Sequence, residues 1–265
     1  MPNLLEVILH PLSLVFFAMY GGLMLWESIA PARPLPRVQG WRWRGLASFA
    51  VYFLGASYLP LLWDAKLAEY QLVDLSMLGT VGGFVVGLVV YEIVGYAWHR
   101  ALHGSNVLWR GFHQLHHSAE RLDTFSAFWF APLDVVGWTA ASSFALTLVV
   151  GLSPTATTLT LMTLSFLAMF GHTNVRTPRW LGYLVARPEN HSYHHLRGSH
   201  AHNFADLPVF DMLFGTFENP HDFAPETGFT PGASARVWDM LCMRDVSGED
   251  DRHVEPVLTA TVSDA

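Results

Sequence analysis

Three short histidine-rich stretches dominate this chain: HRALH at residues 99–103, HQLHH at residues 113–117 and HSYHH at residues 191–195. A fourth stretch, HTN at residues 172–174, lies between the last two. Together they contain nine of the fourteen histidines, and they follow long apolar runs. The fold must therefore gather side chains spread over about a hundred positions at one end of several apolar segments.

The spacing of these histidines suits metal binding. His99 and His103 are four residues apart, so a helix places both rings on one face, within reach of a common ion. The two HxxHH stretches combine spacings of three and four residues in the same way. Neutral imidazole is a ligand for iron, zinc, copper and nickel. Nine rings are too many for one tetrahedral ion and suit two ions of coordination number roughly four to six.

The rest of the composition indicates a membrane protein, since 51% of the 265 residues are hydrophobic and only 14% are charged. The runs with at most one charged residue are 11–30, 46–63, 78–98 and 135–171, the last broken by GLSP at 151–154. A membrane-spanning helix needs about 20 residues. We therefore predict an all-α bundle of four to five spans with a cytosolic, histidine-rich helical cap. The alternative, a soluble protein with buried helices, would have to hide several such runs.

The sequence predicts one domain, residues 1–245, with the histidine stretches inside residues 90–217, followed by an acidic tail over 246–265 that we expect to be disordered. The single cysteine allows no internal disulfide, and a net charge of −7 argues against nucleic-acid binding. A signal peptide has basic residues before its apolar run. The first apolar run of this chain has none, so we expect it to be retained.

The basic residues predict the orientation. In a five-span arrangement all fourteen arginines fall on the histidine side, and the only lysine, Lys66, falls on the other. The positive-inside rule then places the histidines in the cytoplasm and the N-terminus outside. We expect the bacterial inner membrane.

Several other residues are candidates for supporting roles. Residues 104–131 should form short cytoplasmic helices with an aromatic face made by Phe125, Phe128, Trp129 and Phe130. Metal-bound histidines usually donate their second N–H to an acceptor, and the candidate acceptors are Glu92, Glu189, Asp206 and Asp211. Glu92 stands out because it is a carboxylate inside a span, seven residues before His99 and on the same helical face.

The remaining histidines and Glu27 are expected to do less. His200 and His202 follow the third stretch and are expected at the surface or behind the ligands. Glu27 should lie near the membrane interface, and His10, His221 and His253 should be structural or exposed.

An all-histidine site at the edge of a membrane bundle has a specific chemistry available. Non-haem iron with open positions binds and activates oxygen, and two irons can share the electrons that split the O–O bond. A site beneath lipid excludes water from the reaction. An oxidant formed at such a site would attack an unactivated C–H bond of a molecule lying in the membrane.

The order HxxxH, HxxHH, HxN, HxxHH resembles the fatty acid hydroxylase and sterol desaturase superfamily of membrane di-iron oxygenases. The stretch after the third box, NFA at 203–205 and then Leu207, FD at 210–211 and FGT at 214–216, is similar to bacterial members. We expect that zinc can replace iron in purified protein, because imidazole does not select strongly between the two. The resemblance implies two irons and, as the usual reaction, hydroxylation of a C–H bond in a lipid-like substrate such as a sterol or a fatty acyl chain. It also implies O2 as co-substrate and two electrons from a separate ferredoxin- or cytochrome-type donor with its reductase. The implied ligands are His99, His103, His113, His116, His117, His172, His191, His194 and His195, with Asn174 contributing directly or through water.

One stretch departs from that pattern. Many relatives carry Arg-x-His-Pro-x-Glu after the second box, where this chain has Trp129, Ala131, Pro132 and Asp134. Since this region is expected near the substrate entrance, the substrate is not transferable from a relative.

Other functions remain open at this point. A desaturase would use the same site. A zinc hydrolase is disfavoured because no HExxH pair supplies a base beside the ligands. A metal carrier would place its ligands near the middle of several spans, and bis-histidine haem would leave most of the histidines unexplained.

Overall fold

The computed structural model describes residues 1–248, so the predicted acidic tail lies outside the described residues except for its first three. Of these, Val246 and Ser247 are buried, and the Val246 N–H donates to the side chain of Gln114 at 2.6 Å. The described chain therefore stays packed on the cap slightly beyond the predicted boundary at residue 245.

The uncharged runs form the longest helices, because a helix satisfies its own backbone hydrogen bonds where no water is available. The long helices are α2 (Pro11–Ile29), α3 (Trp41–Tyr58), α5 (Gly79–Gly104), α8 (Pro132–Ser143), continued as π-helix over Phe144–Val149, and α9 (Pro154–Gly171). Shorter ones, α1 (Leu4–Leu9) and α4 (Pro60–Ala68), precede α2 and follow α3. A 3-10 turn, Ser76–Leu78, leads into α5.

Within residues 1–248, five helical stretches are long and apolar enough to cross a membrane: Pro11–Ile29, Trp41–Ala68, Ser76–Gly104, Pro132–Val149 and Pro154–Gly171. The predicted all-α membrane bundle is thus confirmed. The break at residues 151–154 separates the last two stretches. Each is 18 residues long, close to the minimum of about 17 residues that a membrane span needs.

Two of these helices begin or end in more polar sequence than predicted. Helix α5 runs on to Gly104, so His99 and His103 lie on the membrane helix itself. Helix α3 starts at Trp41 and includes Arg42 and Arg44. The Arg44 guanidinium donates to the backbone oxygen of Ser234 at 2.8 Å, which shows how a long basic side chain at a helix end reaches the cap.

Helices α5 and α9 pack closely because small residues lie between them. A Cβ placed on Gly83 would come within 2.8 Å of the Ala156 Cβ, and one on Gly87 within 2.6 Å of the Thr160 hydroxyl oxygen. Glycines four residues apart are a usual means of close helix packing in membranes. This contact fixes α5, which carries His99 and His103, against α9, which ends just before His172.

A two-residue parallel ladder closes the end of the bundle that lies away from the histidines. Strand β1 (Val73–Asp74) pairs with β2 (Val150–Gly151), with Val73 opposite Val150. It ties the chain before α5 to the turn between α8 and α9.

The cap consists of short helical pieces joined by loops. They are α6 (Asn106–Leu108), a π-turn (Trp109–His113), α7 (Gln114–His117), a 3-10 turn (Thr124–Ser126), a 3-10 turn (Arg179–Tyr183), α10 (Pro188–His194), α11 (Val209–Phe214), a 3-10 turn (Ala233–Ala235) and α12 (Val237–Leu241). The aromatic residues predicted to form one face of the first pieces are instead distributed between two cores. Trp129 packs with Trp41 and Trp109 inside the cap, whereas Phe128 packs with Phe16 and Phe53 of the membrane helices.

Candidate metal centre

The structure brings the nine predicted ligand histidines together in two adjacent groups. The group of five is His99, His103, His113, His117 and His194, and the group of four is His116, His172, His191 and His195. Within each group, one nitrogen from every ring lies within 4.8 Å of the others. The groups adjoin each other, since the rings of His117 and His195 are stacked with centroids 4.2 Å apart.

Helix geometry explains how each HxxHH stretch contributes to both groups. Residues four apart share a helix face, whereas neighbouring residues point about 100° apart. His113 and His117 therefore enter the group of five, while His116 turns to the group of four. The third stretch reverses this arrangement: His191 and His195 enter the group of four, and His194 crosses to the group of five.

Backbone carbonyls orient several of these rings. The Nδ1 atoms of His99, His172 and His194 lie 2.7 Å from the backbone oxygens of Phe204, Ala168 and His202, respectively. Because a carbonyl only accepts, each Nδ1 must carry the hydrogen. In the neutral ring, Nε2 then has a free lone pair directed into the group.

The Nε2 atoms of each group lie close together, and where two of them both carry lone pairs this suits metal ions. The Nε2 atom of His99 is 3.0 Å from that of His113, whose own Nδ1 faces the Asp134 carboxylate. In the second group the His172 Nε2 is 3.2 Å from that of His116 and 3.0 Å from that of His191. Such lone pairs repel one another unless a cation lies between them.

Unpartnered ring nitrogens support the same conclusion. Among the described residues, the Nε2 atoms of His103 and His194 and both ring nitrogens of His117 are buried without a hydrogen-bond partner. Buried polar atoms are normally paired, and unpaired ones in a native fold indicate an unseen ligand or ion. The donor set, nine imidazoles and no thiolate, suits iron or zinc. The residues therefore fit two metal ions.

Burial keeps these histidines uncharged. It lowers the pKa of His172 to about 4, and burial together with the neighbouring imidazoles lowers the pKa of His117 and His195 well below the usual value. Neutral imidazole is the form that binds a metal, so no proton has to leave these rings at neutral pH.

The five residues predicted to support the ligands lie close to them but make other bonds. The carboxylate of Glu189 accepts from Thr177 and pairs with Arg187 at 2.9 Å. The carboxylate of Asp211 accepts from the backbone N–H groups of Phe204 and Ala205 and from the Thr216 hydroxyl. Asp211 thereby holds the loop whose Phe204 carbonyl orients His99, an indirect form of support.

The other three predicted supporting residues also make no direct bond to a ligand histidine. The backbone N–H of Asn174 donates to Glu27 and its amide to the Arg33 carbonyl. Glu92 accepts from the Leu207 N–H at 3.2 Å, and Asp206 lines a cavity beside it. Glu27, predicted near the interface, lies at the end of α2 as expected and in addition accepts from the backbone and side chain of Thr124.

The acid that does bond a ligand ring was not among the predicted ones. The Asp134 carboxylate lies 3.0 Å from the His113 Nδ1, and both side chains are buried. The available signal was its place, alone among apolar residues, in the first turn of α8 after Pro132.

The remaining histidines fall outside the two groups. His200, expected at the surface or behind the ligands, is buried, with its ring centroid 4.7 Å from that of His117. His202 is partly exposed and lies 3.5 Å from Glu218, while its backbone oxygen accepts from His194. His10 caps α2 and His221 contacts Arg179, as expected for structural residues. His253 lies outside the described residues.

A cavity of about 370 Å³ leads from the membrane helices to both groups. Its far part is bounded by Leu12, Pro60 and Thr157, near the helix ends opposite the cap, and its inner part reaches five of the ligand histidines. Its lining residues include Tyr52, Tyr91, Tyr96, Phe128, Phe130 and Trp138. A largely aromatic chamber inside a lipid-facing bundle suits an apolar ligand.

The fold and the site together define a helical membrane protein with a pair of candidate histidine metal sites at one end of an internal cavity. Comparison of the sequence with family models gives the family. The fatty acid hydroxylase family model matches residues 84–216, which is 133 of the 265 residues. This range contains all nine histidines of the two groups. The chain therefore belongs to this family.

A curated relative extends the comparison. The chain is 33% identical over 141 residues to the ornithine lipid hydroxylase OlsE of Rhizobium tropici. The match covers 51% of this chain and 42% of that relative, less than half of the relative's length. No solved structure matches the chain.

Proposed function

We propose that this protein is a membrane-bound oxygenase that hydroxylates a C–H bond of a lipid-like substrate. The observation that carries the proposal is the position of the two histidine groups, which meet at the inner end of a cavity inside a membrane bundle. Membership of the fatty acid hydroxylase family and the similarity to a lipid hydroxylase support the same reaction class.

We assign two iron ions to the groups, held by the five and by the four histidines. Bound there, they would supply oxygen activation and the oxidation of the C–H bond. Over one turnover, one atom of O2 enters the substrate as a hydroxyl group and the other leaves as water. Two electrons come from a separate ferredoxin- or cytochrome-type donor, and two protons come from solvent.

The chain's own residues position the reactants. The aromatic wall of the cavity binds the apolar part of the lipid, and the membrane helices around it keep water out. The carbonyl oxygens of Phe204, Ala168 and His202 keep the Nε2 lone pairs of three ligand rings pointed inward. With the cap on the cytoplasmic side, a soluble electron donor would reach the site through it.

The experiment compares His117→Ala with His221→Ala in purified protein reconstituted with iron under anaerobic conditions. His117 has two unpartnered, buried ring nitrogens in the group of five, whereas His221 is exposed and lies outside both groups. We expect wild type and His221→Ala to hold two irons per chain. His117→Ala should hold close to one and lose substrate-dependent oxygen consumption.

Lipid mass spectrometry of cells with and without the gene gives the product. A gain of one oxygen atom is expected, whereas loss of two hydrogen atoms would indicate desaturation at the same site. Wild-type protein that binds one ion or none, or a fully active His117→Ala variant, contradicts the proposal. Because zinc also binds imidazole, oxygen consumption weighs more than the metal found after overexpression.

A further inference from the structure

The charge of the cavity wall is one-sided. Three carboxylates line it, those of Asp64, Glu92 and Asp206, and none of its described lining residues is a lysine or an arginine. Its other titratable groups are tyrosines and the histidines of the two metal groups. A substrate with an anionic headgroup would meet no lysine or arginine on this wall, whereas a cation would meet acids.

Two of these acids lie together at the inner end. Glu92 is on α5, two turns before His99, and only 2% of its surface is exposed. Its Oε2 accepts from the Leu207 N–H at 3.2 Å, which brings the loop containing Asp206 against it, whereas its Oε1 has no partner among the described residues. Asp206 is held in place through its backbone oxygen, which accepts from the Ala186 N–H at 2.7 Å.

No lysine or arginine side chain of the described protein pairs with either acid. The basic groups that line the same cavity are imidazoles whose lone pairs point into the metal groups. Burial, and then the nearby charge of Asp211, raise the pKa of Asp206, as expected for an acid without a cationic partner. A buried carboxylate oxygen without a donor is costly, and a ligand that supplies both N–H groups and positive charge removes that cost.

The walls beside the pair also suit a cation. Tyr91 directly precedes Glu92 in sequence, and it lines the cavity together with Trp138. Aromatic faces attract ammonium groups while still packing against hydrocarbon. The inner end therefore combines hydrogen-bond acceptors with aromatic surface.

We propose that Glu92 and Asp206 form a recognition site for a primary ammonium group of the substrate, next to the metal groups. This inference rests on the proposed function and adds the substrate class: a lipid with an amine-bearing polar part, bound so that the amine lies near the reacting carbon. A lipid whose polar part carries only a carboxylate would find no cationic side chain at this pair.

The test uses binding without turnover. Iron-loaded protein in a neutral maltoside detergent is titrated with dodecylamine, dodecanol and dodecanoate, which share one chain length and differ in the polar group. We expect dodecylamine to bind about tenfold or more tightly than dodecanol, since a hydrogen bond to a charged group contributes roughly 1.5–3 kcal/mol. In metal-free protein, where no iron can bind the carboxylate, dodecanoate should bind most weakly.

Two variants locate the preference. Glu92→Gln and Asp206→Asn should each bring dodecylamine close to dodecanol while two irons per chain remain bound. Glu69→Gln, a change at an exposed acid outside the cavity, should preserve the preference for dodecylamine over dodecanol. Either cavity variant suffices if the other does not fold.

Equal binding of the amine and the alcohol by wild type, or a preference that survives in the cavity variants, overturns the proposal. A preference that disappears only when the metal is removed assigns the amine to the metal and also overturns it. Because these measurements need no oxygen consumption, their failure is distinguishable from failure of the proposed reaction.

Discussion

At the scale of single residues, Asp134 has the clearest indirect role in the candidate centre. Its carboxylate accepts from the Nδ1 of His113, which fixes both the ring and its tautomer. With Asp134→Asn the acceptor becomes an amide that can also present a donor to the ring. We expect the group of five to bind its ion about 10- to 100-fold more weakly, measured by competition with a chelator.

The matched control is Asp222→Asn, because the Asp222 side chain is 75% exposed and pairs only with Arg176 at the surface. This variant should leave the affinity of both histidine groups for their ions unchanged. Weakening of both groups to the same extent in Asp134→Asn would point to a general loss of structure, and unchanged affinity would remove Asp134 from the centre.

The histidine stretches and their resemblance to the family predicted the nine histidines that the fold brings together, but not their partners. Ligands repeat at intervals of three and four residues because helix faces do. Partners such as Asp134, 21 residues after His113, depend on where a separate helix passes. The division into five and four was also out of reach, since His194 and His195 are adjacent in sequence and serve different groups.

At the scale of elements, helix α10 shows how the cap holds its ligands. It carries His191 and His194, with His195 directly after it as the C-cap, and it is anchored by the buried pair of Arg187 and Glu189 at its N-terminal end. Arg187→Met leaves the Glu189 carboxylate buried without its cation. Breaking such a pair costs about 3–5 kcal/mol, so a clear drop in thermal unfolding temperature is expected, together with loss of metal from both groups.

The exposed pair of Arg176 and Asp222 provides the comparison for this prediction. Arg176→Met should change the free energy of unfolding by less than about 1 kcal/mol. The double variant Arg187→Met/Glu189→Gln removes the unpaired charge and should regain part of the stability. A single variant as stable as wild type would show that α10 is held by its other contacts.

The elements differ in how well the sequence predicted them. The membrane helices followed from uncharged runs, because only a helix can bury such a run in lipid. The cap pieces are short and interrupted by a π-turn at Trp109–His113, so no sustained period marks them. Phe128 and Trp129 are adjacent yet enter different cores, which no helical-face argument anticipates.

At the scale of the whole molecule, the cap collects the basic residues. Arg33, Arg110 and Arg121 all bond to groups of the cap or the loops beneath it, while Lys66 pairs with Glu69 on α4, at the opposite end of the bundle. Positive charge concentrated at one end of a membrane bundle favours the cytoplasmic side for that end. The same orientation would place the centre within reach of a cytoplasmic electron donor.

The single cysteine makes this orientation measurable. Cys242 is exposed, directly after α12 in the cap. A membrane-impermeant maleimide added to intact spheroplasts should leave it unlabelled and should label it after lysis. In a Cys242→Ser background, Lys66→Cys places the thiol at the other end and should react in intact cells. The reverse pattern would put the cap outside, and the requirement for a cytoplasmic donor would then be wrong as well.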